Sequence, residues 1–484
     1  MQKRKMSFQI LFCYLLTLSA GLPGHSLFAE EKVSQQSVTR AMRKASEFYR
    51  DKLAVHGGYV YYYSLDLQER WGEGKAGPDQ IWVQPPGTPT VGMAYLKAYQ
   101  ATGDQYYLDA ATDTALALVY GQLKSGGWTN SVEFNPRSKL TADYRNGKGS
   151  GRNNSTLDDG ITQSAIMLLI RVDQALQFEN QTIHEAAMIA LNALLKAQYP
   201  VGAFPQVWTG PVESIPGKAA SFPDYDWRTE GRIKNYWDCY TLNDGLAGYV
   251  SDVLIEAYAI YEDQRYRQAV LKLGDFLIQA QLPDPQPAWA QQYSFEMQPI
   301  WARKFEPPAV TGGETQDVIE TLMNIYRFSG DRKYLEPIPR ALAYLKRSHL
   351  PDGQLARYNE LRTNRPLYME RSGKKYSLTY DDSNLPRHYG WKIKSQWASL
   401  QRDYKAIESG KQKQASQPGR RELTLQARKI LNALDDQARW ISTSTGERLV
   451  GQPKFPANSR YIASEVFSQN LETLSSYLQA LKEK

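Results

Sequence analysis

Three arginines stand among aromatic residues in segments that carry no helical pattern. Arg303 lies in Pro299-Ile300-Trp301-Ala302-Arg303-Lys304-Phe305-Glu306, Arg357 in Leu355-Ala356-Arg357-Tyr358, and Arg371 in Pro366-Leu367-Tyr368-Met369-Glu370-Arg371. A guanidinium grips a carboxylate through two parallel hydrogen bonds, and aromatic rings with polar tips are enriched where sugars stack. Together they suit an acidic sugar. One reaction of such sugars, β-elimination beside the carboxylate, needs surrounding cations and no nucleophile. Arg365, in Asn364-Arg365-Pro366, and Lys374-Lys375 add candidate binding charges, and Trp301 joins them as a candidate substrate contact. A lone arginine is far more often a solvated surface charge; only the aromatic company sets these apart.

Two acidic elements each precede a helical pattern: Asn154-Ser155-Thr156-Leu157-Asp158-Asp159-Gly160-Ile161-Thr162-Gln163 and Tyr240-Thr241-Leu242-Asn243-Asp244-Gly245. Each aspartate alone is equally well explained as a helix cap. Adjacent carboxylates also offer the oxygen ligands that calcium takes. Tyr380-Asp381-Asp382-Ser383-Asn384-Leu385-Pro386-Arg387-His388-Tyr389-Gly390 is rich in turn formers. Its His388 invites an acid–base role, but a satisfied structural histidine is the commoner case.

These residues need a scaffold that gathers distant loops. Helical hairpins supply one. Tyr95-Leu96-Lys97-Ala98-Tyr99 leads into Thr102-Gly103-Asp104-Gln105-Tyr106-Tyr107-Leu108, and Ile325-Tyr326-Arg327-Phe328 leads into Ser329-Gly330-Asp331-Arg332-Lys333-Tyr334-Leu335. Ala257 to Tyr266 repeats the phrase, and Leu176 to Asn180 is a degenerate copy. Each reads as a helix end, a tight turn and a second helix whose aromatic packs back. Ala165, Leu168, Leu169, Val172 and Leu176 recur at helical steps, as do Ile183, Ala187, Ala190, Leu191 and Leu194. Glycine- and proline-bearing excursions follow each second helix. The expected fold is therefore dominated by α-helix: an incomplete α/α toroid of hairpins whose long loops form an open cleft. A polar break is expected over 408–422, then helices over Thr424–Ala438 and 467–483.

Composition bounds the rest. The 484 residues carry 23% charged and 42% apolar side chains, as soluble globular chains do. Lys3-Arg4-Lys5, an apolar run from Phe8 to Leu18 and a stretch ending at Ala29 read as a secretory signal over residues 1–29, leaving one domain over 30–484. The formal charge of +7 becomes +4 without those three cations. A secreted or periplasmic monomer that binds an acidic polysaccharide fits this balance. No dense basic block argues for nucleic acid, and no other apolar run spans a bilayer. Cys239 stands alone once Cys13 leaves with the signal, which rules out an intrachain disulfide and a cysteine-based zinc site.

In order along the chain, Leu157 to Thr162, Gly202 to Gln206, Tyr240 to Asp244, Trp301 to Glu306, Ala356 to Tyr358 with Thr363 to Pro366, and Leu378 to Asp382 resemble the family 10 pectate lyases, the pectic acid lyase family. The resemblance implies the toroid and calcium-assisted β-elimination of polygalacturonate. It implies that Asp158 and Asp244 hold the metal, that Arg303 is the Brønsted base, and that Arg357 and Arg371 bind substrate. Asp159, a further candidate substrate contact, falls where the family usually carries Asn, and the loop from Pro211 to Tyr236 looks expanded; both bear on which polymer is taken. An arginine base requires a neutral fraction at alkaline pH, which nearby cations would favour. Two other classes stay open: a glycoside hydrolase using two of Asp158, Asp159 and Glu306, and a non-catalytic glycan-binding protein.

Overall fold

The computed structural model describes residues 33–212, 217–230, 235–411, 418–449 and 453–482. The expected signal, residues 1–29, and parts of the 211–236 loop lie outside them. The helices are α1 (Gln35–Phe48), α2 (Thr88–Thr102), α3 (Gln105–Tyr120), α4 (Ile161–Ala175), α5 (Gln181–Lys196), α6 (Trp227–Glu230), α7 (Leu246–Tyr261), α8 (Gln264–Gln279), α9 (Gly312–Ser329), α10 (Ile338–Arg347), α11 (Trp397–Glu408), α12 (Arg420–Asn432) and α13 (Ser464–Lys482).

The repeated phrase folds as hairpins for local reasons. α2 ends on Gly103 and α9 on Gly330, both left-handed, at φ 73° and 76°. At the same place after α7, Glu262 takes φ 56° without the help of glycine. Asp104, Asn180, Asp263 and Asp331 then accept backbone N–H groups of the segment that follows, so each return is capped. The aromatics pack back as expected: Tyr107, Tyr266 and Tyr334 are fully buried.

α13, α2, α4, α7 and α9 contact one another in series and form the inner layer, while α3, α5, α8 and α10 lie outside them. The series begins at α13 and stops at α9, with α11 leaning on α9 and α10. This is the incomplete α/α toroid. Both helical faces read from the sequence point inward, with only Leu176 partly exposed. An outer-helix glutamine recurs as a brace. Gln122 Nε2 donates to the carbonyls of Gly126 (3.0 Å) and Ala186 (2.9 Å), and Gln198 and Gln281 repeat the bridge one and two hairpins on. Each bridge ties an excursion to the next outer helix.

Short strands staple the excursions to the starts of the inner helices. Ser155–Thr156 pairs with Val207–Trp208, Tyr240–Thr241 with Gln292–Tyr293, and Val310–Thr311 with Tyr358–Asn359, all antiparallel. The N-terminal ends of α4, α7 and α9 are thereby brought to one rim.

Two boundaries differ from expectation. The helix expected over Thr424–Ala438 is α12 and stops at Asn432, because the chain turns back over Asp435–Arg439 with Ala438 at φ 62°. The last helix begins earlier, at Ser464, and packs on α2. Among the described residues no helix is long and apolar enough to cross a membrane.

Candidate active site

The acidic elements are two copies of one device. Thr156-Leu157-Asp158-Asp159-Gly160 and Thr241-Leu242-Asn243-Asp244-Gly245 each form a single 3-10 turn that enters an inner helix. In both, the second acidic position and the glycine are left-handed: Asp159 at φ 47° and Gly160 at 73°, Asp244 at 54° and Gly245 at 72°. Aspartate tolerates that region better than most residues, at some backbone cost. The consequence is that neither aspartate folds back as a cap; each carboxylate projects off the rim.

Neighbouring turns then converge. Carboxylate oxygens of Asp158, Asp159 and Asp244 all lie within 4.8 Å of one another. Burial and the charge of Asp244 push the Asp158 carboxyl up to about 7, against the opposing pull of Gln206 and Arg303. Gln84 Nε2 donates to Asp159 Oδ2 at 2.7 Å and to Glu73 Oε1 at 3.1 Å, which pins the far side of the cluster. Asn243, the counterpart of Asp158, is buried with its Oδ1 unpartnered. Calcium–oxygen bonds are about 2.3–2.6 Å, so ligands across one ion stand about 5 Å apart. The spacing, the crowding of like charges and the all-oxygen donor set fit a hard divalent cation.

These aspartates and Arg303 line one cleft of about 970 Å³, together with Lys139, Arg152, Phe305, His388, Tyr389 and Arg448. Arg303 is held by its own turn. The Glu306 N–H donates to the Arg303 carbonyl at 2.8 Å, and Glu306 takes Arg303 Nε at 2.8 Å and Nη2 at 2.5 Å. Burial opposes the Arg303 charge, but the two-point grip of Glu306 overrides it, and the pKa rises above its ordinary value. This runs against the neutral fraction at alkaline pH that an arginine base requires. The carboxylate that orients Arg303 also keeps its proton.

Arg357 is buried behind the cleft. Its Nε donates to the Gly390 carbonyl at 2.6 Å, and its guanidinium lies 4.6 Å from the Tyr389 ring. Tyr389 is the residue that sequence reasoning missed. Its hydroxyl donates to Glu306 Oε1 at 2.8 Å, and the Arg303 guanidinium stands 5.6 Å from its ring, so it joins both arginines and the buried carboxylate. It lies inside a quoted segment, but nothing in its spacing marked it.

Other expected residues land elsewhere. Trp301 is buried, and its indole N–H bonds to the Trp227 carbonyl at 2.7 Å. It lines neither the cleft nor the cavity beside it, and its ring seats α6 instead. Arg365 is exposed and stacks 3.5 Å from the Tyr380 ring, also outside the cleft. Arg371 is exposed and lines an adjoining cavity. His388 lines both spaces, more than a structural histidine would; its Nε2 lies 3.1 Å from the Tyr376 hydroxyl.

Residues 122–354 match the pectic acid lyase family. The resemblance read from the motifs holds over that span, and the match supports an enzyme of the polysaccharide lyase type. No curated protein matches the chain. Among solved structures, a family 10 polysaccharide lyase from Cellvibrio cellulosa is 21% identical, with 65% of this chain and 95% of that chain covered and a TM-score of 0.46. A mutant of a family 10 lyase from the same organism, in complex with trigalacturonic acid, is also 21% identical, covering 61% of this chain and 92% of that one, TM-score 0.46. A cellobiose 2-epimerase from Bacillus thermoamylovorans is 14% identical, covering 92% and 100%, TM-score 0.45.

Proposed function

We propose that this chain is a secreted or periplasmic lyase that cleaves polygalacturonate, or a related uronate polymer, by calcium-assisted β-elimination. The observation that carries the reading is the meeting of Asp158, Asp159, Asp244 and Arg303 on one cleft wall system. Asp158 and Asp244 would hold the ion, with Asp159 beside them. Calcium bound there supplies a Lewis acid for the negative charge that develops on the uronate carboxylate.

The chain's own groups do the rest. Glu306 grips the Arg303 guanidinium and Tyr389 flanks it, so much of its entropy is lost before substrate arrives, and Arg357 adds positive field from behind Tyr389. Arg303 takes the C5 proton, and water protonates the leaving oxygen. Glu306 opposes loss of the Arg303 proton, so this base needs alkaline pH and the opposing charge of a bound cation and the neighbouring arginines.

One observation favours a second assignment of the base. His388 also lines the cleft, and burial together with Arg371, Arg303, Arg448 and Lys304 lowers its pKa, which leaves it neutral near pH 7. In that reading Arg303 stabilises charge and His388 takes the proton. Of the three carboxylates the hydrolase alternative draws on, Glu306 is buried and committed to Arg303 and Tyr389, which leaves that reading only Asp158 with Asp159.

The test is the ultraviolet absorbance of an unsaturated product from polygalacturonate, with calcium and with chelator, in wild type, Arg303→Ala and His388→Ala. Calcium-dependent absorbance lost in Arg303→Ala and kept in His388→Ala supports the proposal. Released sugar ends without absorbance would make the protein a hydrolase.

A further inference from the structure

A second cavity of about 850 Å³ adjoins the cleft, and His388 and Arg448 line both. Its wall carries Arg371, Arg387, Arg448 and Lys454, with Glu447 as the opposing charge. Among the described residues none of the four cations is ion-paired; Arg371 spends only its Nε, on the Gly373 carbonyl at 2.8 Å. Four cations against one carboxylate around one hollow leave an excess of positive charge, and an anionic occupant relieves that cost.

The cations come from three separate segments, each anchored. Arg371 is on a hairpin opposite Tyr376. Arg387 and His388 follow Pro386, whose carbonyl is held by the buried Trp391 indole at 2.8 Å. Lys454 precedes Phe455, which packs on Trp71 and Tyr461 with ring centres 5.0 Å away in both cases. Arg448 lies in a loop whose base is closed by Ser444, which bonds to Ser459 and Asn458 at 2.8 Å each. Arg387, Arg448 and Lys454 all lie beyond residues 122–354, so the C-terminal third supplies this wall.

We propose that this cavity is an additional subsite for uronate units of the same polymer chain, outside the reaction centre, which makes the protein prefer long anionic chains over short ones. The inference rests on the lyase reading for the polymer's identity. Cavity and cleft share a wall, so one continuous chain can reach both.

Its test uses the full-length protein carrying Arg303→Ala, so that no substrate is consumed, with and without Arg387→Ala/Lys454→Ala. Binding of galacturonate trimer and of a chain about ten units long is measured with calcium at low salt. Exposed charge contacts each change affinity by roughly two- to five-fold. The double substitution should therefore lower the long-to-trimer affinity ratio by about ten-fold, and salt should erode the same ratio. A fully methyl-esterified chain of equal length should bind both proteins alike. An unchanged ratio overturns the subsite, even if wild type is an active lyase. A changed ratio, where wild type releases no unsaturated product, keeps the subsite and removes the lyase reading. Failure of the long chain to bind at all overturns both.

Discussion

Glu306→Gln is the substitution that most directly tests how Arg303 is tuned. The swap preserves shape and an acceptor oxygen but removes the charge that grips the guanidinium at 2.8 and 2.5 Å. A hydrogen bond to a charged group is worth about 1.5–3 kcal/mol. Since one pKa unit is about 1.4 kcal/mol, the Arg303 pKa falls by roughly one to two units. If neutral Arg303 is the base, the rising alkaline limb of the pH–rate profile moves to lower pH by that amount. Partial exposure of Arg303 limits the stability cost to about 2 kcal/mol. At about 2.1 cal/mol/K per residue, 484 residues unfold with an entropy near 1 kcal/mol/K, so the melting temperature drops by only about 2 °C. The assay is initial rate of unsaturated product against pH at saturating calcium, beside a melting curve. A limb that stays in place in a folded Glu306→Gln protein would refute the reasoning, and the base would then be another group.

Asp244→Asn and Asp158→Asn should each weaken calcium binding at least ten-fold by titration calorimetry, with activity recovering at high calcium; an unaltered affinity would remove the metal site. The raised Asp158 pKa has a defined sign. A carboxyl whose folded value lies near 7 and whose ordinary value is 3.8 favours the folded state fully below about pH 4, and that contribution is lost as pH rises towards 7. Calcium-free wild type should thus lose more melting temperature between pH 5 and 8 than Asp158→Asn does, and calcium should abolish the difference; parallel curves would contradict it. Trp301→Ala should destabilise by about 3–5 kcal/mol, as a large core truncation does, with the Michaelis constant for polymer little changed in the folded fraction. A raised Michaelis constant without loss of stability would restore Trp301 as a substrate contact.

What the sequence determined by itself is local. Helix periodicity, the Gly-Asp returns and the capping residues act within a few positions of chain, so the hairpins could be read from the spacing of Leu168, Leu169 and Val172 or from Gly103-Asp104. The duplicated Thr-Leu-Asx-Asp-Gly turns were legible as acidic helix entries, yet capping explained each equally well. Only the left-handed backbone at Asp159 and Asp244, and the packing of α4 beside α7, turned three carboxylates toward one point. Tertiary structure likewise decided that Trp301 is core, that Arg365 stands outside, and that Tyr389 ties Arg303 to Arg357. The cleft joins Glu73 to Arg448 across most of the chain. Such convergence is set by how inner helices pack in series, and a spacing pattern along the chain does not encode it.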